Sequence, residues 1–275
     1  MDTRFWGPSG WALLHLIAAT PIEPARRAAV RNWFYLLEYA LPCKYCRASF
    51  HDYIQLQPLT LDILKEPDTF GRWLFDIHNR VNAKLRGQGL LTAADPSWTS
   101  VKAKYDAMSK DLCDRTPLLG WDFMISVAFT TPDRKPQMPM PDTPEGDTRQ
   151  MTIGERNRYN LLTRVERVKK LRAWWALIPS ILPCAAWRSA WPASVPPLNN
   201  RDSVLRWMWQ VEEQVCAGLR CPTPHPSHAA MRQEMSAFES RCGTLKNGNT
   251  CRTQKHRQRM AAITRRLRWL QTQAA

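Results

Sequence analysis

Two cysteines three residues apart, Cys43 and Cys46, follow Pro42 in the segment Pro42-Cys43-Lys44-Tyr45-Cys46. At i and i+3 on a helix, two sulfurs lie one turn apart on one face and can close a disulfide. Proline at a first helical position loses no needed N–H, so Pro42 can open that helix. A helix N-terminus with Lys44 and Arg47 close by favours thiolate and should lower the pKa of Cys43. Such a pair suits thiol–disulfide exchange. Two other readings compete for it. A zinc site needs a second pair of ligands, and the chain has no second Cys-x-x-Cys. A thioredoxin-like site needs a strand before the motif, and the stretch before Pro42 has helical periodicity instead.

Trp11 and His15 stand upstream of the cysteines; Trp73, His78, Asn79 and Asn82 stand downstream. A lone histidine on an apolar stripe reads most simply as a core residue bonded to a neighbour. Two stripes that each carry a tryptophan and a histidine, one of them adding two asparagines, read differently. Buried Asn and His cost stability unless their polar atoms are satisfied. A large flat ligand with ring nitrogens and carbonyls would satisfy them between the tryptophan faces. A flavin meets that description.

These residues need helices to hold them. A first helix capped by Ser9 puts Trp11, Leu14, His15 and Ala18 on one face, and Thr20-Pro21 ends it. A second, over about 24–40, carries the stripe Val30, Trp33, Phe34, Leu37 and Leu41. A third runs from Cys43 to about Leu56. In the fourth, Phe70, Trp73, Leu74, Ile77, His78, Val81, Asn82 and Leu85 follow one face without a break, and Gly87 and Gly89 stop it. A shorter fifth covers Pro96 to Leu112. Phe123 to Thr130 reads as a short strand or a buried helical turn. Residues 131–148 form a Pro-rich linker. A charged helix over 150–180 then ends in Trp174-Trp175. An irregular stretch over 181–200 and three helices near 201–218, 227–241 and 254–271 follow. The spacing thus predicts an all-α chain: a unit over 1–115, a connecting segment over 116–150, and a basic, mostly helical unit over 151–275.

The sequence has 275 residues, 13 tryptophans, 8 cysteines and a formal net charge of +15. No apolar run approaches the ~20 residues of a membrane-spanning helix. The first residues lack the pattern of a secretory signal, so an intracellular site is expected. In a reducing compartment, paired cysteines are more often catalytic or metal-binding than structural. The basic balance favours polyanions. The run Arg252, Lys255, Arg257, Arg259, Arg265, Arg266 and Arg268 makes nucleic acid a candidate partner, although such a run is usually a solvated helix face.

Taken together, Trp6-Gly7-Pro8, Trp11, Leu14-His15, Pro42-Cys43, Cys46, Phe50, Trp73, His78-Asn79, Val81-Asn82 and Lys84-Leu85 resemble the Erv/ALR family of FAD-linked sulfhydryl oxidases. The resemblance covers about residues 4–112. It implies a four-helix bundle with a short fifth helix and FAD held among the helices. It implies that Cys46 faces the flavin and that Cys43 is the outer sulfur that takes electrons from a protein dithiol. The electrons would pass through FAD to O2, releasing H2O2. Gly7, Trp11, His15, Cys46, Trp73, His78, Asn79, Val81, Asn82, Lys84 and Trp98 are the implied cofactor contacts. A homodimer through the outer faces of the first helices is also implied. The second disulfide of many members, with Cys-x16-Cys spacing, has no counterpart, because no cysteine falls between Cys46 and Cys113. Distal cysteines can relay electrons in the family, so Cys216 with Cys221 and Cys242 with Cys251 are candidate shuttle pairs; a structural role is the simpler reading for each. A long appended region resembles the oxidases of large DNA viruses, which would place the chain in host cytoplasm or the virion. The competing reading is a nucleic-acid-binding or virion structural protein with a degenerate oxidase region.

Overall fold

The computed structural model describes residues 1–112, 119–131 and 138–240. Among these the chain is all-α, with twelve α-helices and no strand. Helix α1 (Thr3–Ala19) starts at Asp2, whose carboxylate accepts from the Arg4 N–H at 3.0 Å. It begins well before the expected cap at Ser9, and Pro8 lies inside it. Proline there forfeits one backbone hydrogen bond, but the extra turns bury Phe5 and Trp6, and that burial offsets the loss.

Helix α2 (Pro24–Ala40) opens on proline and buries Val30, Trp33, Phe34 and Leu37. Helix α3 (Lys44–Leu56) carries the cysteine pair at its start. Helix α4 (Pro67–Gly87) is the longest of the twelve. Helix α5 (Trp98–Lys110) is capped by Ser97 and has no buried residue, so it lies along the outside. Helix α6 (Trp121–Phe129) settles the ambiguous stretch as a helix, and every residue in it is buried. A helix apolar on all sides belongs in a core.

The stretch expected as one helix over 150–180 is three: α7 (Ile153–Arg158), α8 (Arg164–Ala176) and α9 (Ile178–Ile181). Asn160, at φ 59°, turns the chain out of the first. Thr152 with Glu155, and Thr163 with Glu166, form capping boxes that start α7 and α8. Pro179 is tolerated in the opening turn of α9. Helix α10 (Ala185–Ala190) sits within the stretch expected to be irregular. Helices α11 (Arg201–Leu219) and α12 (His228–Ala237) follow. The helix expected near 254–271, the basic run and Cys113, Cys242 and Cys251 lie outside the described residues.

Helix α1 packs on α4, α5 and α6; α2 packs on α3, α8 and α9; α3 packs on α7; α6 packs on α11. One buried apolar cluster runs through α1, α2, α3, α4, α6, α8, α9 and α11, and Tyr105 and Met108 of α5 pack against it. Trp174 stacks on Trp33 at 5.2 Å and meets Phe123 edge-on at 6.0 Å. Gly120 makes the turn into α6 at φ 106°, and a Cβ there would stand 2.8 Å from Leu13 Cδ2. Only glycine combines that backbone with that approach. Among the described residues no helix is long and apolar enough to cross a membrane.

Candidate functional site

Cys43 is the N-cap of α3. Its backbone is extended, and its Sγ accepts from the Cys46 N–H at 3.4 Å. Pro42 therefore lies before the cap rather than opening the helix, and a sulfur takes the place usually held by a serine or aspartate oxygen. Both cysteines are free thiols. Burial pushes the Cys43 thiol up. Hydrogen bonds from the Cys46 side chain and backbone, with the charges of the Met1 ammonium and Arg47, outweigh it and bring Cys43 down to about 7. Cys46 moves the other way: its hydrogen bond to Cys43 raises it well above the usual thiol range, burial and the Cys43 charge add to this, and Lys84 and Arg47 oppose it. The pair thus shares one proton, with Cys43 as thiolate and Cys46 as donor. Cys43 is only 1% exposed, while Cys46 is half-buried. Lys44, also buried, donates from Nζ to the carbonyls of Met138 and Pro139, which ties those residues over the start of α3.

The two histidines meet. His15 Nε2 lies 3.1 Å from His78 Nδ1, joining α1 to α4. The Trp11 ring lies parallel to His78 at 3.7 Å, and Tyr105 of α5 lies parallel to His15 at 4.6 Å. Burial, then the charges of His78 and Lys104, lowers His15 to about 3; burial lowers His78 to about 4. Both imidazoles are therefore neutral near pH 7, each with one donor and one acceptor nitrogen. Beside them opens a small cleft of about 20 Å³ lined by His15, Gly71, Trp98, Lys102 and Tyr105. A Cβ on Gly71 would come within 3.0 Å of Trp98 Cη2, so this glycine keeps the indole close to α4.

The remaining α4 residues divide into two groups. His78, Asn79, Val81, Asn82 and Lys84 are half-buried, a face able to receive a ligand. Lys84 Nζ donates to Ser49 Oγ and the Tyr45 carbonyl, which brings it to the cysteine helix. Asn82 Nδ2 donates to Asp95 at 2.8 Å, and Asp95 pairs with Arg86. Trp73 lies elsewhere. It is buried between Phe34 and Phe70, and its indole N–H donates to the Gln57 carbonyl at 2.9 Å. Gly7 has open space beside its Cα. Tyr105, Lys102 and Gly71 escaped the sequence reading, although Tyr105 follows Trp98 at i+7 on one helical face.

Flat side chains in parallel layers, neutral imidazoles and a glycine-shaped cleft fit the ring system of a flavin. Trp11, His15, His78 and Tyr105 would hold its faces and edge. Trp98 and Lys102 line the cleft, and Asn79, Asn82 and Lys84 lie on the half-buried face of α4; these are the candidates for the rest of the ligand. The cleft as it stands has room for about one water molecule and not for a ring system, so the side chains around it must part for the ligand.

Cys216 and Cys221 come together at the end of α11. The Cys221 N–H donates to the Cys216 carbonyl at 2.9 Å across Arg220, at φ 54°. Both are free thiols; burial and the Cys221 side chain push the Cys216 thiol up. Cys184 is held in a disulfide.

Residues 8–105 match the model of the Erv1 / Alr family. A probable FAD-linked sulfhydryl oxidase of Acanthamoeba polyphaga mimivirus is 35% identical over 85 residues, 30% of this chain and 59% of the relative. The mitochondrial FAD-linked sulfhydryl oxidase of Saccharomyces cerevisiae is 32% identical over 88 residues, 31% of this chain and 45% of the relative. An FAD-linked sulfhydryl oxidase of African swine fever virus is 32% identical over 105 residues, 37% of this chain and 80% of the relative. The chain thus spans about half the length of the first two. No solved structure matches it. With the cysteine pair, the paired histidines and the α4 face all inside the matched span, the chain belongs to the Erv1/Alr family.

Proposed function

We propose that this chain is a flavin-dependent thiol oxidase that makes disulfides in protein substrates, with the overall reaction 2 R–SH + O2 → R–S–S–R + H2O2. The observation that carries the reading is the free Cys43–Cys46 pair at the start of α3, with Lys84 of the histidine helix bonded to that same helix. In the oxidised pair, a substrate thiolate attacks Cys43 Sγ, and Cys46 leaves as thiolate toward Lys84 and Arg47. The second substrate thiolate attacks the substrate sulfur of that mixed disulfide, and Cys43 leaves as thiolate. A low leaving-group pKa speeds this step, and Cys43 has the more acidic sulfur of the pair. FAD, held at the layered side chains, would accept the two electrons and pass them to O2. Because Cys43 is buried, the substrate must displace the cover above it.

The purified protein should show flavin absorbance and consume O2 when given dithiothreitol. Cys46→Ser should abolish the uptake and leave the absorbance in place. A folded but colourless preparation would sink the reading. Family membership and the viral relatives support a homodimer and a site in host cytoplasm or the virion; sedimentation and fractionation test these. The net charge of +15 supports contact with nucleic acid, and a steep salt dependence of DNA binding would reveal it. Cys216 with Cys221 remains a candidate relay, supported by the closeness of the two thiols.

A further inference from the structure

We infer that Asn160, from the region beyond the family match, positions Arg47 as the buried counter-charge of the reactive cysteine pair. This deepens the thiol-oxidase reading and rests on it. Arg47 follows Cys46 directly, and its guanidinium turns back along the start of α3. Nη1 donates to the Leu41 carbonyl at 3.0 Å, which sets the group beside the residues that lead into Cys43. Nη2 donates to Asn160 Oδ1 at 2.8 Å. Arg47 is buried, both bonds go to neutral oxygens, and its Nε–H has no partner among the described residues. A buried cation bonded only to neutral groups is costly unless an anion lies close. The anion available here is the thiolate.

Asn160 is built for the task. Its left-handed backbone, at φ 59°, is one that asparagine tolerates and most residues do not. Its N–H bonds the Asn157 carbonyl at 2.9 Å, and its Nδ2 donates to the Met138 carbonyl at 2.7 Å. The side chain is thus clamped at both ends, with Oδ1 aimed at Arg47. Arg167 of α8 lies on the other side, 3.4 Å from the same oxygen, and donates to the Tyr39 carbonyl. Two guanidiniums sharing one oxygen repel, so Arg167 adds to the cost of burying Arg47 without an anion. The other titratable groups near the pair are Lys44, Tyr45 and Tyr53 of α3, Lys84 of α4 and the Met1 ammonium. None of them bonds to Asn160.

The test is an ultraviolet titration of thiolate in the reduced full-length chain, with the Cys43→Ala/Cys46→Ala double variant subtracted. It needs neither flavin nor O2, so a colourless protein would end the oxidase reading and leave this measurement intact. Asn160→Asp pairs Arg47 with a carboxylate and cancels its field. The lower thiol midpoint should rise by about 1 unit, since a charge within ~4–6 Å shifts a pKa by about 1–3 units. Arg47→Met should do the same, and Arg47→Lys should restore part of the shift. Asn160→Gly keeps the backbone and should raise the midpoint less. Placed in the Arg47→Met background, Asn160→Gly should add nothing. An unchanged midpoint in folded Asn160→Asp or Asn160→Gly would overturn the inference. So would an equal Asn160→Gly shift with and without Arg47.

Discussion

Substituting Cys43 by alanine should make Cys46 more acidic, whereas substituting Cys46 by alanine should make Cys43 less acidic. The two halves of this prediction have opposite signs because the pair shares one proton unequally. The sulfurs are in hydrogen-bond contact. A thiolate roughly 4 Å from a second ionising group costs that group about 4 kcal/mol at an effective dielectric of ~20, or about 3 pKa units. In Cys43→Ala that cost disappears. Burial alone then opposes Lys84 and Arg47, and the Cys46 midpoint should fall by about 2–3 units from the upper midpoint of the intact pair. In Cys46→Ala, Cys43 loses its side-chain donor but keeps the backbone N–H, and its midpoint should climb above about 7. The assay is thiolate absorbance against pH for each single variant, read against the double variant. In the intact protein the two midpoints belong to the pair and not to either sulfur. Shifts of the same sign, or no shift of Cys46, would refute the shared-proton account. The result bears on turnover: while Cys43 is held in the mixed disulfide it carries no charge, so the departing Cys46 is spared that repulsion and stays a thiolate.

The paired histidines make the flavin-free protein acid-sensitive. Both are lowered in the fold, to about 3 and about 4. The unfolded chain therefore binds up to two more protons between pH ~6.5 and ~4, and stability should fall with pH there by up to about 2.7 kcal/mol per unit. Urea midpoints should show this slope, and replacing both histidines by glutamine should flatten it. Gly120→Ala should cost about 2–4 kcal/mol, combining left-handed strain with the push on Leu13. Gly87→Ala, with nothing within 4 Å, should instead add up to about 1 kcal/mol. Equal effects of the two in urea would contradict the packing argument. Gly71→Ala should displace the Trp98 indole and weaken FAD retention with little change in apo-protein stability; unchanged flavin retention would place the ligand elsewhere.

Period and punctuation made most of the helices readable before the fold was known. The unbroken stripe of α4 marked its apolar face, and the polar residues along it are half-buried. Trp73 shows the limit of periodicity. It shares that stripe with His78, but one and a half turns separate them, and the intervening twist carries the indole into the core beside Phe34. Pro8 was read as punctuation where burial of Phe5 and Trp6 could override it. The breaks within 150–180 had a local signal in the two Thr-x-x-Glu boxes, masked by the run of charge around them. Asn160 had none: its partner Arg47 lies 113 residues away, and nothing in either neighbourhood marks the pair.

The stacking of Trp174 on Trp33 sets an order of events during synthesis. The cysteine pair is complete at residue 46, but α8, Asn160 and the carbonyls that tie down Lys44 are added more than ninety residues later and emerge that much later. At ~5–20 residues per second, the interval is about 5–20 s. For that time the nascent chain carries two thiols without their buried guanidinium and without their cover. Capture of an incomplete chain by thiol reagents on stalled ribosomes would expose this window, and it should close once the chain is long enough for Trp174 to dock.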